Sequence, residues 1–200
     1  HASMAVEAAR AGKAVFLEKP MAINPAELNQ LIQSLEETKV PFLVGYNRRF
    51  SPFLRRIKAI VADRKNPMII NYRMNAGFIP KDHWIHSAEG GGRNIGEACH
   101  IYDLFNFLTE SAVQHISVSS ISSSDFLNKN DNFAVTIKYQ DGSLGNLIYT
   151  ALGSPQAPKE EMEIYCGGKI IRMSDYQKLE FAGLNIAPQS SSLKKKGHYE

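Results

Sequence analysis

The chain has little of what marks several common protein classes. Its two cysteines, Cys99 and Cys166, are too few and too far apart for a disulfide framework or a zinc-ligand spacing, which favours a reduced setting. No apolar run approaches the ~20 residues needed to span a bilayer, and the first residues lack the charged, apolar and small-residue regions of a signal peptide. These absences point to a soluble, cytoplasmic protein. There is also no excess of one charge to direct it to nucleic acid. The formal net charge is +3, and the basic run Lys194-Lys195-Lys196, beside Ser190-Ser191-Ser192 and without interleaved aromatics, reads as a solvated tail. No internal repeat occurs, and the serine-rich stretches at 119–124 and 190–192 read as strand edge and loop.

What is present is enough apolar residue, 44% of 200, to bury a real core as one large domain or two small ones. His1 to Arg10 reads as a helix that packs Ala5, Val6, Ala8 and Ala9 against a sheet and ends at Gly12. A buried strand follows, Ala14 to Leu17. Asn24-Pro25-Ala26-Glu27 then supplies an N-cap, a proline at the first helical position and a glutamate at the third. Leu28, Leu31, Ile32 and Leu35 give that helix an apolar face as far as about Lys39. Pro41 to Tyr46 reads as a second buried strand. This series is half of a doubly wound parallel sheet that opens on a helix, so its first strand and any glycine-rich phosphate loop are expected to lie upstream of a truncated chain.

From Ser51 the character changes. A helix from Ser51-Pro52 through Leu54, Ile57, Ile60 and Val61 closes at Asn66-Pro67. Strands are expected at Met68 to Met74, Gln114 to Ser122, Asn132 to Tyr139, Leu144 to Leu152, Glu161 to Cys166 and Lys169 to Met173, with Asp141-Gly142 and Gly167-Gly168 as hairpin turns. Only Gly96 to Thr109, with Ile101, Leu104, Phe105 and Leu108 on its buried face, interrupts this α+β, antiparallel part.

Glu18-Lys19-Pro20 follows the first strand directly, at the edge where open α/β sheets build their ligand sites. Pro20 fixes its own φ and holds Lys19 extended, so that the ammonium can be aimed at a fixed point. The alternative for Lys19 is a surface lysine before a broken loop. Downstream, Gly90-Gly91-Gly92 permits close approach of a ligand. It leads into a helix on which Glu97, His100 and Asp103 recur at three-residue steps along one side. Carboxylates flanking an imidazole orient it and raise its basicity, and a histidine near neutrality suits proton transfer from a hydroxyl. The alternative is a core histidine bonded to its own helix.

Asn47-Arg48-Arg49-Phe50 emerges on the same edge as Lys19, where the arginines could meet phosphate or sugar hydroxyls, or simply form salt bridges. Trp84, the single tryptophan, could line a sugar pocket or pack in the core. His83 and His86 lack a third ligand at a matching spacing, so no metal site is expected. Cys99 points away from its neighbour His100 and reads as a buried thiol.

Together, Glu18-Lys19-Pro20 after a strand, Gly45 to Phe50, and the glycine run leading to His100 resemble the Gfo/Idh/MocA family of nicotinamide-dependent oxidoreductases, in the right order and over nearly the whole chain. The resemblance implies an α/β remnant of a Rossmann domain at 1–50. At 51–200 it implies an α+β domain with an open, mainly antiparallel sheet that binds substrate and mediates oligomer formation. It implies NAD or NADP as cofactor, with the G-x-G-x-x-G loop upstream, and a final helix after Lys196 to Glu200. It makes Lys19 the lysine near the nicotinamide and the reacting carbon, and His100 the general base. Glu97 is a further catalytic candidate. Glu18, Pro20, Asn47 and Arg48 join Lys19 in cofactor binding, and Trp84, Arg93, Glu97 and His100 join it in substrate binding. Many members carry an aspartate where this chain has Gly96, with Glu97 one residue later. The implied substrate is a sugar, sugar derivative or nucleotide sugar, oxidised by hydride transfer, and the isolated 200 residues are expected to be inactive and to bind cofactor poorly. Two other functions suit the same fold: NAD-assisted glycoside cleavage without net cofactor reduction, and non-catalytic sugar or cofactor sensing. Retention of both Lys19 and His100 favours catalysis.

Overall fold

The computed structural model describes residues 1–122 and 128–197. The end of the serine-rich stretch at 123–124 and residues 198–200, expected to lead into a helix, lie outside the described residues. The chain divides into two compact units, His1–Tyr46 with Asp82–Cys99, and Asn47–Lys81 with His100–Glu200. The glycine run at 90–92 thus packs with the first unit.

In the first unit, α1 (Ala2–Arg10) buries Ala2, Ala5 and Ala9. It ends in a Schellman motif, Lys13 N–H to Ala8 O at 3.0 Å and Gly12 N–H to Ala9 O at 2.9 Å, with Gly12 at φ 71°, the left-handed region that a residue lacking Cβ enters freely. β1 (Val15–Leu17) and β2 (Phe42–Val44) pair in parallel, joined through α2 (Pro25–Thr38). The start of α2 is capped from both sides. Asn24 Oδ1 accepts the Glu27 N–H at 2.9 Å, and Glu27 Oε2 accepts the Ile23 N–H at 3.2 Å, which satisfies donors that a helix start leaves open.

Ala5, Leu17 and Leu31 form the core of this unit, with Val15, Leu35 and Phe42 packed against it. The two strands are not buried on both faces as their unbroken apolar runs predict. Phe16 is 65% exposed and Leu43 54%, because α1 and α2 cover one face only and successive strand residues point to opposite faces.

In the second unit, α3 (Pro52–Val61) buries Phe53, Leu54, Ile57 and Val61. An eight-stranded sheet runs in the order β10-β9-β8-β7-β3-β6-β5-β4. Its strands are β3 (Ile69–Asn75), β4 (Val113–Ser120), β5 (Phe133–Tyr139), β6 (Leu144–Thr150), β7 (Glu160–Cys166), β8 (Lys169–Ser174), β9 (Lys178–Ala182) and β10 (Gln189–Ser190). The pairing is antiparallel except between β3 and β6, which run parallel. Neighbouring hairpins alone predict an antiparallel sheet, but β3 precedes them and is inserted between β6 and β7.

The helix α4 (Cys99–Thr109) lays Phe105 over Gly145 of β6, where a Cβ would come within 2.6 Å of the ring, and sets it edge-on to Tyr72 at 6.5 Å. Gly145 is therefore required by the close approach of helix and sheet. Cys166 is buried and Cys99 only half-buried, and neither is in a disulfide.

A charged cluster sits at the start of β7. Glu160, fully buried, accepts from Arg48 Nη2 at 3.0 Å, from the Tyr72 hydroxyl at 2.7 Å and from Lys196 Nζ. Burial lowers the Lys196 pKa below the usual lysine range against the opposing pull of Glu160. Asp175 accepts from Lys194 Nζ at 2.9 Å, and Ser51 Oγ donates to Lys195 O at 2.6 Å. The lysine run is consequently a strap tied to the second unit, not a solvated tail. A charge run reads as solvated only when no buried carboxylate awaits it, and Glu160 gives no local sign of its burial.

Candidate functional site

At the carboxyl end of β1, the Leu17 carbonyl accepts the Gly45 N–H at 2.8 Å and the exposed Glu18 carboxylate lies over Gly45, 3.2 Å from where its Cβ would be. Lys19, half-buried, precedes a cis peptide to Pro20, and its Nζ donates to the main-chain carbonyl of Gly96 at 2.8 Å.

Gly96 belongs to a π turn, Asn94–Ala98, that runs into α4. The i→i+5 bonding of a π turn inserts one residue into the helical register. The carboxylates are bound by arginines. Glu97 accepts from Arg93 Nη2 at 3.3 Å. Asp103 is held bidentately by Arg49, through Nε at 2.6 Å and through Nη2. Burial pushes the Asp103 pKa up, and the Arg49 guanidinium opposes it. His100, 8% exposed, lies in the first turn of α4 within the second unit.

The first unit surrounds a cavity of about 390 Å³ at the Lys19 ammonium, within the range of small-molecule sites. Lys19, Pro20 and Trp84 stand on its wall with Ile23, Gly90 and Gly96, and Glu27 and Glu89 add negative charge. Trp84 is 65% exposed, so it lines the cavity and is not core. Gly90 is needed for the chain's own packing, since a Cβ there would lie 2.5 Å from the Ile85 and Trp84 main chain, and Gly91 and Gly92 take φ of 69° and 79°.

Other expected site residues lie elsewhere. Arg93 is 2% exposed and not part of the wall. In the second unit, Arg48 is bound to buried Glu160 and Asn47 Nδ2 donates to Lys196 O at 2.9 Å. The Gly96 carbonyl and Glu89 carry no sequence signal of their own. Glu27 is visible in the sequence only as a helix cap. Among the described residues, no group of three or more His, Cys, Asp or Glu is placed to hold a metal ion, and no helix is long and apolar enough to cross a membrane.

A parallel α/β half-sheet that delivers a lysine into a cavity at its strand ends has the arrangement in which open α/β sheets build ligand sites. Residues 1–46 match the GFO_IDH_MocA family, described as an oxidoreductase family with an NAD-binding Rossmann fold. The inositol 2-dehydrogenase of Rhizobium meliloti is 35% identical over 111 residues, covering 48% of this chain and 34% of that protein. An NAD binding oxidoreductase from Klebsiella pneumoniae superposes with a TM-score of 0.79 at 20% identity, over 98% of this chain and 58% of that one. The WlbA dehydrogenase from Bordetella pertussis, solved in complex with NADH and UDP-GlcNAcA, superposes with a TM-score of 0.72 at 20% identity, over 87% of this chain and 55% of that one. Over these matched segments the chain is similar to the Gfo/Idh/MocA oxidoreductases. It spans less than two thirds of the length of each of these relatives.

Proposed function

We propose that this chain is part of a dehydrogenase that transfers a hydride between a hydroxyl-bearing carbon of a sugar, sugar derivative or nucleotide sugar and NAD(H). The observation that carries the reading is Lys19, placed by the end of β1 in a cavity of about 390 Å³ beside an exposed indole. An ammonium, two carboxylates and an aromatic face suit a hydroxylated ring, which hydrogen-bonds at its edge and stacks through its apolar face. The exposed apolar face at Phe16 and Leu43 supports further Rossmann elements packed there in the complete protein. Residues 1–50 then close a dinucleotide-binding domain, and 51–200 form the substrate and oligomerisation domain. Ile69, Ile148 and Tyr165, exposed on the open sheet face, support association of copies through that face.

The cavity wall fits a nicotinamide in kind, since Pro20, Ile23 and the Trp84 ring offer apolar surface to a flat ring beside the polar Lys19. The bound nicotinamide supplies the hydride acceptor. Lys19 stabilises the negative charge that develops on the substrate oxygen, an electrostatic effect that is strongest where water is excluded. By the resemblance to the family, His100 is the residue that would take the hydroxyl proton, and Glu18 and Pro20 fix the direction from which Lys19 enters. Arginine-bound Glu97 positions the turn ahead of α4.

The test is cofactor reduction by the complete protein over a panel of sugars, sugar acids, inositols and nucleotide sugars, with product identification. Net NADH formation with one class supports the reading. Glycoside cleavage without net reduction, or tight cofactor binding without any turnover, refutes it in favour of the glycosidase or sensor alternative.

A further inference from the structure

Two glycines line the cavity, and they differ in what they do for the fold. Gly90 has no room for a side chain. At Gly96 a Cβ would meet nothing nearer than Gly90 O at 4.0 Å, and its φ is not in the left-handed region. No atom of Lys19 lies within 4 Å of that point, so the bond from Lys19 to the Gly96 carbonyl would survive an added methyl. Gly96 also stands inside a helical turn, where glycine is less favourable than alanine by about 0.5–1 kcal/mol. The backbone therefore gains nothing from glycine here and loses stability by it. What the absent side chain leaves is open volume on the cavity wall, next to the carbonyl that holds the lysine.

We propose that Gly96 is the specificity-determining residue of this cavity: its carbonyl anchors the Lys19 ammonium, and its missing side chain leaves the space for a neutral substituent on the substrate ring, adjacent to the reacting hydroxyl. The identity of the ligand as a hydroxylated ring rests on the proposed function; the assignment of the space does not. With the hydroxyl at Lys19, the space beside the Gly96 Cα would take a hydroxymethyl or acetamido group on the neighbouring carbon. A methyl at this point shortens the space by one carbon, a steric change of the size that alters selectivity about tenfold or more in pockets that fit closely.

The experiment compares the complete protein with Gly96→Ala and Gly96→Ser. Binding is read by saturation-transfer NMR and calorimetry with xylose, glucose and N-acetylglucosamine, in the presence of NAD, and stability by thermal unfolding. The expected result is an unchanged or higher melting temperature in Gly96→Ala, together with at least tenfold weaker binding of the most substituted ring that the unaltered protein takes, and little change for xylose. Gly96→Ser should show the same selectivity. A fall in melting temperature in both variants would return Gly96 to a backbone role and overturn the proposal, as would unaltered selectivity or the absence of binding by any of these rings. Binding that shifts as expected without NADH formation would instead leave the inference standing and remove the dehydrogenase reading.

Discussion

Glu160→Gln should be the most damaging conservative substitution in the second unit. The carboxylate is fully buried and accepts from Arg48, Lys196 and Tyr72. Glutamine keeps the size and an acceptor for the Tyr72 hydroxyl, but it leaves two cations facing each other where Lys196 is 17% exposed and Arg48 7%. Removing one partner of a buried ion pair costs about 3–5 kcal/mol, which for a chain of this length lowers the melting temperature by about 6–20 °C. Glu160→Gln combined with Lys196→Met removes the second cation as well and should recover part of the loss, with a coupling of about 0.5–3 kcal/mol between the sites. Thermal unfolding followed by circular dichroism measures all four members of the cycle. A single variant that melts within about 2 °C of the unaltered protein would show that the cluster is compensated in some other way and would refute the reasoning.

Gly145→Ala should destabilise by about 1–3 kcal/mol, because its Cβ would fall 2.6 Å from the Phe105 ring and a packed core yields only at a cost; unchanged denaturant unfolding would contradict that packing. Alkaline pH should unfold the protein through its buried phenols. Burial raises the pKa of Tyr72 and Tyr176, whereas the unfolded phenols ionise near about 10. The unfolded state then binds fewer protons, so the stability present below about pH 10 is lost as the pH rises beyond it. Absorbance at 295 nm should show these two tyrosines ionising only as the fold is lost; their ionisation in the folded protein would contradict it.

How much was legible in the sequence depended on whether the signal was local. Asn24, Pro25 and Glu27 announce α2 because a helix start is satisfied by residues within one turn. The β7–β8 hairpin is readable because Gly167 and Gly168 take φ of 54° and 77°, as a two-residue turn of this hand requires. The next hairpin, β8 to β9, escapes notice because the same left-handed positions are filled by Asp175 and Tyr176, at φ 51° and 57°, residues that do not announce a turn as glycine does. The two-residue β10 has too little pattern to detect. Lys19 and Trp84 are legible as candidates from strand position and amphipathic character, and both stand on the cavity wall. The π turn is not legible, since a one-residue change of helical register leaves no composition signal, and with it goes the Gly96 carbonyl. Arg48 follows the right strand but is drawn to Glu160, 112 residues away in the chain, a distance over which no periodicity speaks.

The central claim is that Lys19 acts on the reacting oxygen, and single-turnover hydride transfer in the complete protein tests it most directly. Lys19→Ala should lower the rate of the bound complex by about 10²–10³-fold, and His100→Ala should lower it in a pH-dependent manner. A Lys19→Ala protein that transfers hydride at the unaltered rate would contradict the account.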